Sequence, residues 1–406
     1  MSKKNVVLIM ARGVEGCGVT KFTVEQHNWF KKHGYNVRSF ASIDKNYSRK
    51  NVHDTSNFEL IKFANDASTD LMIEACDMAD YVIVNSLPPK ENHRSLGIEQ
   101  KAYDNWKRAL LSFTKPVVLV QHDHKIYSIK RNACLEEAID AADLIMVHSM
   151  ENDFVNYVRT RKGITGIFEE EKKIVSFQPG LSFDNIKEKH WVDIKEQDSF
   201  HHKWIGRSTS WKGYDLMFSW YDNYLKHAEH VASFEGIDKG PAFIDFKAKY
   251  NFINKMTTDP DTVKLYNGEP ATVFGSFKNE NMLRRMAKVA FGYQLSLLEP
   301  KYIQNSIEYT HCELVACGAL PVFRKEYGDK CIHRVTGDPL SESKGNNTIW
   351  LSKDNMEECI NTVTSLAIDY KRRDDWRHAA YEFYKNHQDS EHVFKNMMEK
   401  IESNLK

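Results

Sequence analysis

The chain has 406 residues, more than one ordinary hydrophobic core accommodates, so two domains are expected. Apolar residues make up 41% and charged residues 28%, the composition of a globular protein and neither of a disordered nor of a membrane-spanning chain. Its 56 basic and 56 acidic residues cancel, which excludes a cationic field over the whole molecule; a polyanionic partner must be met by a local patch.

In chain order, VVLIM (6–10) has the pattern of a short buried strand. A helical periodicity follows from Thr20 to Lys32 and ends at Gly34 in a C-cap position. YNVRSFAS (35–42), DYVIVNS (80–86), PVVLVQH (116–122) and DLIMVHS (143–149) continue as apolar strands, with helical stretches at 93–113 and 131–142. Near-continuous apolar strands alternating with helices indicate a parallel sheet covered on both faces. A Rossmann-like domain is therefore expected over 1–183, and the polar segment 184–201 reads as a linker. A second alternating series occupies 202–371. Its strands are expected at KWIGR (203–207), HVASFEG (230–236), TVKLYN (262–267), FGYQLSL (291–297), LPVF (320–323) and TIWL (348–351). Its helices are expected at 212–226, 279–290, 304–317 and 354–370, and residues 372–406 read as closing helices that could cross back to the first domain. The seven cysteines are an odd number, scattered, without a Cys-x-x-Cys pair. That favours free thiols in a reducing compartment over a disulfide framework or a zinc site. The apolar run at the start is too short for a signal-peptide core, and no segment approaches the roughly 18 apolar residues of a membrane span. A cytoplasmic protein that does not enter membranes is expected.

Four stretches carry candidate chemistry. ARGVEGCGVTKF (11–22) is not a Walker A loop, because Val19 and Thr20 separate Gly18 from Lys21. It is not a dinucleotide fingerprint either, because the third glycine after Gly16 and Gly18 is missing. What remains is a strand, a glycine loop and a helix whose free amides favour an anion, or else a tight strand–helix turn without a ligand. In WIGRSTSWKG (204–213), Arg207 and Lys212 sit five residues apart after a strand. That spacing suits a diphosphate whose charge grows as it leaves, or a solvated arginine and a helix-start lysine. In EYTHCELVACG (308–318), Glu308 and Glu313 would stand about 140° apart on a helix, one suited to a ribose diol and the other to the sugar, or both ordinary surface carboxylates. In VQHDHK (120–125), His122 and His124 share one side of an extended chain and Asp123 takes the other. No third metal ligand lies nearby, so Asp123 reads as a general base or a carboxylate steadying a positive sugar, unless all three are structural. Basic residues cluster locally in KNYSRKNVH (45–53), HKIYSIKRN (124–132) and RTRK (159–162), as contacts to a phosphate backbone or as solvated faces.

With these stretches in view, the sequence resembles the DNA α-glucosyltransferases of T-even bacteriophages. The resemblance runs from the first strand to the last helix, through MARGVEGCGVTKF, QHDH, KWIGRSTSWKG, PAFI (241–244), FGYQLS, EYTH-ELVACG, PVF and HQDS (387–390). It implies a GT-B fold, α/β with two facing Rossmann-like domains and a cleft between them. It implies a retaining glycosyltransferase that moves a sugar from a UDP-sugar onto the hydroxyl of 5-hydroxymethylcytosine or 5-hydroxycytosine in double-stranded phage DNA, protecting it from host nucleases. No cofactor or bound metal is required beyond the donor, with a divalent ion at most a stimulant. The enzyme would be a monomer in the cytoplasm of the infected bacterium. The alternatives are a second sugar added to an already glycosylated cytosine, a non-DNA acceptor, and a nucleotide- or DNA-binding module without catalysis.

Residue by residue, the resemblance assigns Gly16, Gly18 and Val19 to the donor phosphates and sugar, Arg207 and Lys212 to the diphosphate, and Glu313 to the ribose. Glu308 would lie against the sugar, with His122 and Asp123 on the acceptor side. Lys45, Arg49, Lys50, Lys125, Lys130 and Arg131 would meet DNA. The broader class of retaining transferases spaces its glutamates eight apart, whereas Glu308 and Glu313 are five apart. Val315 stands where a glycine is expected, and its bulk beside the donor sugar would favour a pentose such as arabinose over glucose. No nucleophile pair is evident, which favours same-face attack assisted by the leaving phosphate. The target base is expected to leave the stack to reach the enzyme.

Overall fold

The computed structural model describes residues 3–13, 18–43, 53–88, 99–122, 132–150, 153–162, 174–205, 212–225, 231–235, 253–256, 271–274, 279–297, 307–343, 345 and 347–405. The chain forms two units, Met1–Gly180 with Ser390–Lys406, and Leu181–Asp389.

The sheet of the first unit comprises β1 (Asn5–Met10), β2 (Asn36–Ser42), β3 (Glu59–Ile61), β4 (Tyr81–Ser86), β5 (Val117–Gln121), β6 (Leu144–Val147) and β7 (Ile174–Ser176). Their order is β3-β2-β1-β4-β5-β6-β7, and every pair is parallel. The central strands are buried on both faces, as their unbroken apolar runs require. On one side the core centres on Trp106 and Phe63, whose rings meet edge to face at 5.2 Å. Helix Gly18–Lys32 fills the turn after β1 and buries polar groups that find partners: Asn85 Nδ2 donates to Gln26 Oε1 at 2.8 Å, and His27 Nδ1 meets Ser39 Oγ at 2.7 Å. The last helix, Ser390–Asn404, packs on this first helix. Phe394 lies against Phe22 at 5.4 Å, and Gln26 Nε2 donates to Met397 Sδ at 3.4 Å.

The second sheet comprises β8 (Asp198–Ile205), β9 (Val231–Glu235), β10 (Ile253–Met256), β11 (Ala271–Phe274), β12 (Val289–Gln294), β13 (Leu320–Arg324) and β14 (Ile349–Leu351). Its order is β10-β11-β9-β8-β12-β13-β14, again parallel throughout. Polar side chains inside it form one closed network. His202 Nδ1 meets Tyr293 Oη at 2.6 Å, and Trp220 Nε1 donates to the same oxygen at 2.9 Å.

Several local expectations change. The supposed linker at 184–201 is structured: helix Phe183–His190 buries Phe183, Ile186 and His190 at helical spacing, a 3-10 turn follows, and β8 begins at Asp198. Its charged residues occupy only the outward face. Strands β3 and β7 and the helices Asp66–Asp77 and Asp153–Lys162 add to the expected series. The expected strand 262–267 lies outside the described residues. Helix Tyr214–Trp220 continues as a π turn, Tyr221–Leu225. The six described cysteines are free and buried, and burial pushes Cys134 up to about 11 and Cys359 to about 12. No helix among the described residues is long and apolar enough to cross a membrane.

Candidate active site

In the second unit β8 separates β9 from β12, so the segments leaving β8 and β12 diverge at their carboxyl ends. Open parallel sheets bind ligands at such a point. Gly213, after β8, has φ +70°, and a Cβ on it would lie 1.5 Å from the Leu295 carbonyl oxygen after β12. Only glycine lets the two segments approach this closely. Helix Tyr214–Trp220 builds directly on this contact, with Met217 N donating to Gly213 O at 3.3 Å.

The close approach brings Lys212 to Glu308. Lys212 Nζ pairs with Glu308 Oε2, and Ser296 Oγ donates to Glu308 Oε1 at 3.3 Å. Ser296 is fixed in turn by its own amide, which donates to Gln294 Oε1 at 2.8 Å. Arg324, at the end of β13, donates from Nη1 to Leu295 O at 3.4 Å. The segments after β8 and β12 thus meet on one carboxylate, and Arg324 from β13 holds the Leu295 carbonyl beside them.

Glu308 is not inside a helix. It is the N-cap residue of Tyr309–Ala316, with extended φ −63° and ψ 144°, and its carbonyl accepts from His311 N at 3.0 Å. The angle of about 140° expected between two helical glutamates therefore does not apply. Glu308 reaches back to the strand ends, while Glu313 points from the helix to Asn279, whose Nδ2 donates to Glu313 Oε1 at 3.0 Å. Burial alone would raise Glu308, but the Lys212 ammonium and the hydrogen bonds of Lys212 and Ser296 hold it below the usual carboxylate range. It is ionised at neutral pH and can accept hydrogen bonds from hydroxyl groups. His311, one turn on, is 2% exposed, and burial drives it down to about 3, so its ring is neutral. Its Nδ1 has no hydrogen-bond partner among the described residues.

Val315 is 1% exposed and packs in an apolar cluster with Phe183, Leu283 and Met286.

In the first unit the helix after β1 begins at Gly18, so Gly18 and Val19 form its first turn, which carries no acidic residue. Lys21 pairs with Glu25 at 3.1 Å, both nearly buried, and is thereby turned along the helix. His122, after β5, lies 5.0 Å from the Phe22 ring. Its Nδ1 meets Nε2 of His148, after β6, at 3.3 Å, and Phe177 closes the group at 5.4 Å from His122. Gly18, Val19 and His122 thus gather at the carboxyl end of the first sheet. In the basic stretch 159–162, Arg161 is bound to Asp140 at 2.5 Å and to Glu136 at 3.2 Å, so its charge is spent on neighbouring carboxylates. Gly16, Asp123, Arg207, Lys45, Arg49, Lys50, Lys125, Lys130 and Arg131 lie outside the described residues. Among the described residues, no group of three or more His, Cys, Asp or Glu is arranged to hold a metal ion. Ser296, Asn279 and Arg324 were not anticipated; Ser296 and Arg324 stand at the ends of expected strands, where that signal lay.

Comparison with known proteins follows the same geometry. A family model described as DNA alpha-glucosyltransferase matches residues 17–371. The DNA alpha-glucosyltransferase of Enterobacteria phage T4 is 36% identical over 410 residues, covering 98% of this chain and 99% of that protein. Two solved structures, 34% identical, cover 98% of this chain. One is an alpha-glucosyltransferase with UDP and a 13-mer DNA containing an HMU base, at TM-score 0.89 and 100% of that chain. The other holds UDP-glucose and DNA with an abasic site, at TM-score 0.90 and 99% of that chain. The Anabaena protein Alr3699/HepE with UDP-glucose, at 13% identity and TM-score 0.58, covering 98% of this chain and 99% of that one, shares the fold alone. The two parallel α/β units are those of the GT-B class.

Proposed function

The chain belongs to the DNA α-glucosyltransferase family, and on that premise we propose that it transfers a sugar from a UDP-sugar onto the hydroxyl of a hydroxymethylated base in double-stranded DNA, with retention. The observation that carries this reading is the convergence of Lys212, Ser296 and Glu308 at the switch point of the second sheet. A pure binding module has no need of a half-buried carboxylate held ionised by an ammonium group.

The second unit holds the nucleotide sugar. Arg207 and Lys212 neutralise the diphosphate as negative charge grows on it, which lowers the barrier to its departure. When the donor phosphates engage Lys212, Glu308 keeps its Ser296 hydrogen bond and turns its charge to the sugar, where it accepts from hydroxyls and steadies the positive anomeric carbon. Glu313, held by Asn279, takes the ribose. Gly16, Gly18 and Val19 are assigned to the donor phosphates and sugar, and Lys45, Arg49, Lys50, Lys125, Lys130 and Arg131 to the DNA. His122 and Asp123 orient the acceptor hydroxyl. Attack on the face left by the diphosphate preserves configuration, and the departing phosphate oxygen takes the acceptor's proton. The base reaches this site flipped from the duplex. No bound metal is required, a divalent ion being at most a stimulant, and the enzyme acts as a monomer in the cytoplasm of the infected bacterium.

Glucose is the donor favoured here. A solved relative 34% identical to this chain holds UDP-glucose; a pentose such as arabinose, argued from the bulk of Val315, is the alternative donor. The test is mass spectrometry of nucleosides from hydroxymethylcytosine DNA incubated separately with UDP-glucose and UDP-arabinose. Glucosylated hydroxymethylcytosine is expected, and absence of any sugar adduct with either donor would refute the reading. Arg207→Ala is expected to abolish transfer while DNA affinity stays within about twofold, since its charge serves the donor.

A further inference from the structure

We propose that Gln388 is a positioning residue for Glu308, an inference that rests on the donor-side reading of Glu308 given above. Gln388 is the last residue of helix Tyr370–Gln388, is 0% exposed, and is remote in sequence from every segment of the candidate site. Its side-chain amide closes both ends of a single residue: Ile307 N donates to Gln388 Oε1 at 2.8 Å, and Gln388 Nε2 donates to Ile307 O at 2.7 Å. The two peptide planes flanking Ile307 are thereby fixed, and the second of them leads directly into Glu308. Glu308 has no side-chain cap bond of its own to set its backbone. Its direction is therefore inherited from Ile307.

The clamp is itself anchored. The carbonyl of Gln388 accepts from Leu181 N at 3.0 Å, and Leu181 and Asp389 form a parallel bridge. Arg334 secures the same helix end: its amide donates to His387 Nδ1 at 3.1 Å, and its guanidinium donates to the carbonyls of His387 at 3.3 Å and Asn386 at 2.7 Å. A cation over the last carbonyls of a helix is favourable in charge as well as geometry. Gln388 thus projects from a fixed helix end, and a glutamine that bonds backbone on both sides cannot turn its amide without losing both bonds.

Gln388→Met keeps the volume and removes both bonds. The expected result is a fall in kcat of about 10- to 100-fold, the loss that goes with displacing a reacting group by about an ångström. KM for DNA is expected to stay within twofold. Tyr384→Phe serves as the control, since it deletes a buried hydrogen bond to Thr348 (2.7 Å) on the same helix without touching Ile307. It should lower the melting temperature by a similar amount and leave kcat within twofold of wild type. Wild-type kcat in Gln388→Met, or equal losses of kcat in the two variants, would overturn the proposal. Glu308→Gln tests the premise separately: a wild-type rate in that variant refutes the role of Glu308, whereas a large loss there beside an unaffected Gln388→Met refutes only the clamp.

Discussion

His311 and His387 are both buried side chains that burial drives down to about 3. In the unfolded chain a histidine takes its proton near pH 6.5. Between those values the unfolded state binds more protons than the folded one, so stability falls as pH falls, by about 1.4 kcal/mol per pH unit for each histidine, and the loss is complete below pH 3. Denaturant unfolding between pH 7.5 and 4.5 should show this slope, and His387→Gln should make it shallower; an unchanged slope would sink the assignment. Glu308 shows why single residues were only partly legible. Its identity and its neighbour Lys212 could be read as donor-site candidates, but its direction depends on a cap conformation and on Gln388, 80 residues later, which no local pattern encodes. Val315 shows the same limit. Its position beside the motif was plain, but which side of the helix faces the core is decided by Phe183, Leu283 and Met286 from other segments.

At the scale of elements, the long apolar runs announced themselves, because a strand buried on both faces has little choice of residue. The short strands β3 and β7 did not, since three residues at or near a sheet edge carry no usable period. Helix Asp66–Asp77 offered a signal that went unused: Asn65 accepts from Ser68 N at 3.1 Å, and Thr69, Met72, Ala75 and Cys76 are buried at helical spacing. The segment before helix Tyr214–Trp220 supplies the sharpest element-level test. Gly213→Ala forces the Lys212 segment away from Leu295 and is expected to weaken UDP affinity at least about tenfold, as an ångström-scale displacement does. Gly34 also has a positive φ, +80°, but open space around it, so Gly34→Ala should cost only about 1 kcal/mol and leave UDP binding unchanged. Calorimetric titration with UDP separates them, and equal affinities for the two variants would remove the close crossing from the account of the site.

For the whole molecule, the division into units departs from the order of the chain. The first unit is completed by the last helix, which buries Val393, Phe394, Met397, Met398 and Ile401 and ties its flanks through Lys4–Glu402 and Lys32–Glu391. Five such side chains are worth on the order of 10 kcal/mol, as much as a domain's entire stability. A chain ending at Asp389 should therefore retain a protease-resistant second unit while the first is digested. Equal resistance of both units in limited proteolysis would contradict this. The closing helices themselves were readable from their periodicity, but their allegiance was not, because packing partners lie hundreds of residues apart.

That arrangement also sets a schedule. On the ribosome the first seven strands emerge long before the helix that seals them, and at about 5–20 residues per second the wait is roughly ten to forty-five seconds. During that interval Phe22 and Trp29 lack their cover from Phe394. The second unit, wholly contained between the two crossings, can fold in the meantime. A prematurely terminated product would then carry a finished sugar-nucleotide half beside an open one, a form suited to capture by chaperones and proteases before it could ever act on DNA.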